Sequence, residues 1–210
     1  MKTIGITGRS GCGKSAVTAH YAALGCPTVD ADAVSRQILL PGSPCLAALC
    51  EVFGGDILTP DGQLRRRLLA DRAFATPEGT QALTAITHPA IVGRLRAKAE
   101  QARRAGASLF FADGAVILGS PFEQDCDGIL LVTAPYEQSV ARICRRDGIS
   151  PEMARRRLDA QPAEDWLRRF ASIELRNDGT LETLLLRADA ALAQLKIDFD
   201  TGCLPRRFGS

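Results

Sequence analysis

Residues 3–15 read TIGITGRSGCGKS. Within them Gly8 to Ser15 fits the spacing G-x-x-x-x-G-K-S, where glycines let consecutive backbone N–H groups turn inward around a phosphate. Lys14 adds a point charge reaching the β- and γ-phosphates, and the Ser15 hydroxyl is placed to ligate Mg²⁺. A short β-rich run at residues 3–7 precedes this P-loop. Residues 15–24 read as a helix whose N-terminal dipole faces the anion. Strand, loop and helix together predict a nucleoside triphosphate site at Gly8, Gly11, Cys12, Gly13, Lys14, Ser15 and Ala16. Cys12 reads as a small filler of the loop.

Outward from the loop, short apolar runs alternate with longer amphipathic ones, which is the pattern of a parallel α/β sheet. Strands are predicted at 3–7, 27–29, 108–112 and 128–133, with a weaker one at 171–175. Roughly eighty residues separate the second and third strands, far more than one crossover helix needs. They read as a helical substrate-binding insertion at about 34–106, broken at Pro41-Gly42-Ser43-Pro44, Gly54-Gly55, Pro60-Asp61-Gly62 and His88-Pro89. A second helical unit at about 135–170 is rich in arginine and reads as a closing lid. Within it, Ser150-Pro151 is a helix start, and Gly148 ends the preceding helix. Residues 1–197 form one predicted P-loop NTP hydrolase-like domain, and 198–210 a poorly ordered tail.

Composition narrows the function classes. The 210 residues are 46% hydrophobic with a formal net charge of +2, which suits one α/β domain and argues against a nucleic-acid partner. No 18-residue apolar span or leader appears, so no membrane association is expected. Seven cysteines without C-x-x-C spacing predict free thiols in a reducing, cytoplasmic setting, and no zinc site.

Phosphoryl transfer needs an acceptor position, charge stabilisation and exclusion of water. Asp30 and Asp32 follow the second strand, where a carboxylate at a strand's C-terminal end faces the ligand crevice. Their spacing leaves open which is the base and which a helix cap. Asp113 closes the third strand, in the position of a magnesium-holding carboxylate. Arginines of 136–157 suit a lid because guanidinium forks onto two phosphate oxygens. His88 alone reads more readily as a structural hydrogen-bonder than as a catalyst. Trp166, the single tryptophan, reads as the anchor of its amphipathic helix, with base stacking as the alternative.

These residues sit in a longer ordered set. GITGRSGCGKSAV opens it, followed by VDADAVSRQ at 29–37, DGQLRRRLLADRAF at 61–74 and THPAI at 87–91. QSVARICRRDGISPEMARRRLDAQ at 138–161 and RND at 176–178 complete it. The chain resembles the dephospho-coenzyme A kinases over about residues 3–195. The resemblance implies ATP and Mg²⁺ as cofactors and transfer to the ribose 3′-hydroxyl of dephospho-coenzyme A. Asp32 becomes the implied base, with Asp30 supporting the magnesium and acceptor geometry. Arg66 and His88 fall on the acceptor side, Arg142 and Arg145 on the lid, and Asn177 near the nucleotide base. The expected partner is this small molecule, and the expected assembly a monomer or small homo-oligomer.

The chain also departs from the family's pattern. Arg9, Cys12 and Ala16 replace the common Gly, Ser and Thr. Asp113-Gly-Ala-Val-Ile-Leu-Gly119 stands where the family has Asp-x-Pro-Leu-Leu-Phe-Glu. Two other readings are a P-loop kinase of another nucleoside, nucleotide or sugar, and a nucleotide-binding regulator without turnover.

Overall fold

The computed structural model describes residues 1–115 and 117–201. Five strands, β1 (Lys2–Thr7), β2 (Thr28–Asp30), β3 (Leu109–Asp113), β4 (Gly128–Thr133) and β5 (Ile173–Arg176), form one sheet in the order β2-β3-β1-β4-β5. Every pairing is parallel. β3 and β4 are buried at every residue, as expected of strands covered on both faces. Because side chains alternate along a strand, each strand feeds two cores. Phe111, Leu130 and Val132 join a cluster with Val17 and Tyr21 on one face. Phe110, Ala112 and Ile129 join Val34, Ile91 and Leu95 on the other.

Helix α1 (Lys14–Ala23) packs on the first face with α9 (Leu181–Thr201). Tyr21 is fully buried there, its hydroxyl donating to the Ala188 carbonyl at 2.9 Å. α9 runs through Thr201, so the predicted tail begins inside this helix. The remainder of that tail lies outside the described residues.

Between β2 and β3 run α2 (Ala31–Gln37), α3 (Pro44–Phe53), α4 (Arg66–Ala73) and α5 (Pro77–Arg104). The breaks predicted around residues 41–44 and 54–55 are present: Ser43 caps α3, and Gly54 (φ 93°) ends it. The break predicted at His88-Pro89 is absent, since Pro89 lies inside the 28-residue α5. A proline removes one helical hydrogen bond and costs about 3 kcal/mol. Here that is offset by packing, because α2, α3 and α4 all lie against α5 and Thr87, Ile91, Val92 and Leu95 are buried on it.

After β4 come α6 (Tyr136–Asp147), α7 (Pro151–Asp159) and α8 (Glu164–Arg168). Gly148 (φ 66°) ends α6, and the Ser150 side chain accepts from Met153 N–H ahead of Pro151, as the sequence predicted. Val140, Ile143, Ala154 and Leu158 make a small core between α6 and α7. β5 starts two residues later than predicted because Phe170 and Ala171 still turn back onto α8. No helix among the described residues is long and apolar enough to cross a membrane, and no disulfide links two described cysteines.

Candidate active site

The carboxyl ends of β1, β2 and β3 converge. Thr7 leads into the phosphate loop, while Asp30 and Asp113 sit opposite each other in register. The loop passes so close to β4 that a Cβ on Gly8 (φ 147°) would meet the Val132 carbonyl oxygen at 2.2 Å. Gly13 (φ 106°) turns the chain into α1, where no side chain caps the helix and no acid occupies the first turn. An uncapped, acid-free first turn leaves N–H groups and dipole for an external anion. Ala16 already donates its N–H to the Gly13 carbonyl at 3.1 Å. Lys14 Nζ donates to the Gly8 carbonyl at 2.8 Å, folding back along the loop. Cys12 is buried against Ile6 and Val132, and burial pushes its thiol up. It fills space, as predicted.

Three acids have three environments. Asp30 is committed to α2: its Oδ1 accepts from Ala33 N–H at 2.8 Å, and Oδ2 lies 3.6 Å from Arg36. Asp32 follows in the first turn of α2, half-buried. Burial, then the Asp30 charge, pushes its carboxyl above the ordinary range, opposed by Lys14, Arg36 and a hydrogen bond from Ala115 N–H. Gly114 permits that approach, since a Cβ there would stand 2.9 Å from Ala31 Cβ and 3.2 Å from Asp32 Oδ1. Asp113 is buried, its Oδ2 accepting from the Thr18 hydroxyl at 2.9 Å. Its Oδ1 is buried without a partner. Burial raises this carboxyl too; Lys14 and the Thr18 hydroxyl counter it, and Asp30 and Asp32 add to the rise.

Lys14, Ser15, Asp30, Asp32, Asp113 and Arg142 line one cavity of about 560 Å³, with Arg36, Arg145, Arg146 and Arg157 around it. Arg146 and Arg157 both hold Asp147, at 2.7 and 2.6 Å. Arg142 reaches the Gly11 carbonyl (3.3 Å), Asn177 Oδ1 (3.2 Å) and Gln138 Oε1 (3.1 Å). Asn177 is buried beneath the loop, donating Nδ2 to the Cys12 carbonyl at 2.7 Å. Arg66 and His88 are elsewhere, in a cavity of about 330 Å³ walled by Ile38, Leu39, Leu69, Phe74 and Ile91. α2 borders both cavities, Asp32 on one and Ser35 on the other.

Several supports escaped the sequence reading. Thr18 orients Asp113 from one turn beyond the loop. Gln161 accepts from Ser10 N–H at 2.8 Å and donates to Ser10 Oγ at 2.7 Å. Arg9 donates to the Leu158 carbonyl and lies 5.8 Å from the Tyr136 ring centroid. These contacts tie the loop to the end of α7 across about 150 residues of sequence, and no local sequence pattern signals them. Trp166 does not anchor α8: Leu167 is its buried residue, while Trp166 is 38% exposed.

Comparison with known proteins adds the family. The dephospho-CoA kinase family model matches residues 2–183. Relatives named dephospho-CoA kinase include one from Corynebacterium jeikeium, 42% identical over 90% of this chain and 97% of its own length. Another, from Anaeromyxobacter dehalogenans, is 40% identical over 93% of each. TT1252 from Thermus thermophilus, a crystal structure, shares 35% identity with a TM-score of 0.77 over 92% of this chain and 97% of that one. Shikimate kinase from Acinetobacter baumannii, at 16% identity and TM-score 0.53 over 94% of both chains, shares the fold. By sequence and by fold, the chain belongs to the dephospho-CoA kinase family.

Proposed function

We propose that this chain transfers the γ-phosphoryl group of ATP to the ribose 3′-hydroxyl of dephospho-coenzyme A, the last step of coenzyme A synthesis. The observation that carries the reading is the shared cavity. A phosphate loop with its lysine and an electrostatically perturbed carboxylate, Asp32, open onto one space.

In the proposed reaction, the loop amides and Lys14 hold the β- and γ-phosphates. Asp32 accepts the proton of the 3′-hydroxyl as its oxygen bonds the γ-phosphorus, and the bond to the β–γ bridging oxygen breaks to release ADP. Asp30, spent on capping α2, sets where Asp32 stands and raises its basicity through like charge. Arg145, Arg146 and Arg157 neutralise charge on the transferring group, with α6–α8 closing as a lid over it. Arg142 and Asn177 brace the loop at the nucleotide end. Arg66 and His88 receive a more distant part of the acceptor, with α2–α5 as the acceptor-binding unit.

The residues present fit a magnesium ion. Asp113 Oδ1 is buried and unpartnered, and Ser15 borders the same cavity. Together they would hold Mg²⁺, which would supply positive charge to offset that of the phosphates.

The test is ADP release by the purified protein with ATP and Mg²⁺, with and without dephospho-coenzyme A, and mass analysis of the product. Acceptor-dependent release and a gain of one phosphate on dephospho-coenzyme A are expected. Nucleotide binding without acceptor-dependent release refutes the assignment and favours a regulator.

A further inference from the structure

A second cavity, of about 190 Å³, opens beside the phosphate cavity and shares Ser10, Lys14 and Asp32 with it. The two differ in chemistry. The phosphate cavity is bordered by acids, arginines and loop residues. The smaller one adds Trp166, Pro162, Ala115 and Leu118, with Arg9 and Gln161 as its further polar lining. It is below the roughly 300 Å³ at which pockets begin to enclose a drug-sized ligand, so it suits one flat ring system rather than a whole nucleotide. Trp166 is exposed although apolar, and its indole is held by Phe170, ring centroids 4.7 Å apart and planes inclined at 55°. An exposed aromatic ring steadied by a neighbour is a stacking surface set in advance.

Covalent geometry then limits what can lie there. In a nucleoside, the base and the 3′-hydroxyl are carried by the same five-membered ring, only one ring carbon between their attachment points. A 3′-hydroxyl presented to Asp32 therefore brings its base within a few ångströms of that carboxylate, and the slot adjoining Asp32 is the one walled by Trp166. We propose that this cavity takes the purine base of the acceptor and that Trp166 stacks on it, making Trp166 a specificity-determining residue. The inference rests on the reading of Asp32 as the acceptor base given above. It also gives the departing segment after Asp113 a use, because Ala115 and Leu118 come from that segment.

Trp166 is the only tryptophan in the chain, so its emission reports on this cavity alone. Dephospho-coenzyme A added to the wild-type protein is expected to quench it saturably. A non-hydrolysable ATP analogue, or 4′-phosphopantetheine, which lacks the base, is expected to leave it unchanged. Base–aromatic stacking predicts that Trp166→Leu raises KM for dephospho-coenzyme A roughly tenfold to a hundredfold. KM for ATP should stay within about twofold, a split that a merely structural defect would not give. Trp166→Phe, which keeps a ring, should retain most of the acceptor affinity. Quenching by the ATP analogue instead of the acceptor would assign the slot to the donor's base and overturn the proposal. A wild-type chain that phosphorylates dephospho-coenzyme A with flat emission, and an unchanged KM in Trp166→Leu, overturns this inference alone. A wild-type chain that leaves dephospho-coenzyme A untouched overturns the activity reading, and this inference with it.

Discussion

The side-chain amide of Asn177 joins the end of β5 to the phosphate loop, donating to the Cys12 carbonyl across 2.7 Å. The same side chain accepts from Arg142, and a Cβ on Gly13 would meet its Nδ2 at 2.5 Å. Asn177 is thus a buried spacer that sets loop height as well as a hydrogen-bonding group. Asn177→Ala leaves a cavity and strips the Cys12 carbonyl of its donor. Leaving a buried polar group unpaired costs about 1–3 kcal/mol, so a lower urea midpoint with unchanged m-value is expected, together with weaker ATP binding. A midpoint equal to the wild type would show that the loop does not depend on this contact.

The tie between loop and α7 makes a separate prediction. Gln161→Leu removes both bonds to Ser10 while keeping the side chain's bulk. At about 1 kcal/mol per net hydrogen bond, KM for ATP should rise about fivefold or more. The α6–α7 core of Val140, Ile143, Ala154 and Leu158 does not involve Gln161, so the melting temperature should fall by only a few degrees, the equivalent of the two lost bonds. Unaltered KM in initial-rate measurements would rule out a role for Gln161 in holding the loop.

Much of this site is legible in the sequence. The loop, its lysine and the strand-end acids announce themselves because phosphate binding demands glycine, lysine and hydroxyl at fixed spacing, and strand ends carry ligands. β3 and β4 were legible because strands buried on both faces are near-continuous apolar runs, and β1 because a β-rich run leads directly into the phosphate loop. What stayed hidden depends on three-dimensional neighbours. The sequence could not choose between Asp30 and Asp32, since their difference lies in who meets them: Ala33 N–H for one, the Ala115 amide and partial burial for the other. Nor could it show α5 running through Pro89, where packing by three helices overrides a local breaker. Thr18, Gln161 and Arg9 act through partners about 95 to 150 positions away, beyond any local pattern.

Asp113 is predicted to cost stability in exchange for a binding role. In the unfolded chain its carboxyl ionises near the ordinary value of about 3.9; in the fold, burial foremost holds the proton to higher pH. The folded state therefore binds more protons between those two values, and stability falls as pH rises through that interval. The penalty is absent below the ordinary carboxylate range and complete above the raised value. Asp113→Asn keeps an oxygen for Thr18 and removes the charge. It should melt higher than the wild type at pH 8, with the gain vanishing as pH falls below the ordinary range, while Mg²⁺-dependent turnover drops. Wild-type-like activity in this variant would exclude Asp113 from the metal site, and a lower melting temperature at pH 8 would contradict the burial argument.

Asp32 should govern the acid limb of the pH–rate profile. A base must be ionised to accept the hydroxyl proton, so activity is lost as pH falls through the Asp32 pKa in the folded enzyme. That limb should lie above the ordinary carboxylate range, because burial and then Asp30 raise it. Asp30→Asn removes the like charge while keeping a good helix cap, since asparagine and aspartate are similar at that position. The limb should therefore move to lower pH, with turnover at neutral pH reduced modestly by the weaker base. Asp32→Asn should abolish the limb and lower kcat by about 10²- to 10⁴-fold, the range for loss of general-base catalysis, with ATP binding retained by the loop and Lys14. If Asp30→Asn instead destroys turnover and Asp32→Asn preserves it, the two aspartates exchange roles, and the shared cavity is read from the wrong carboxylate.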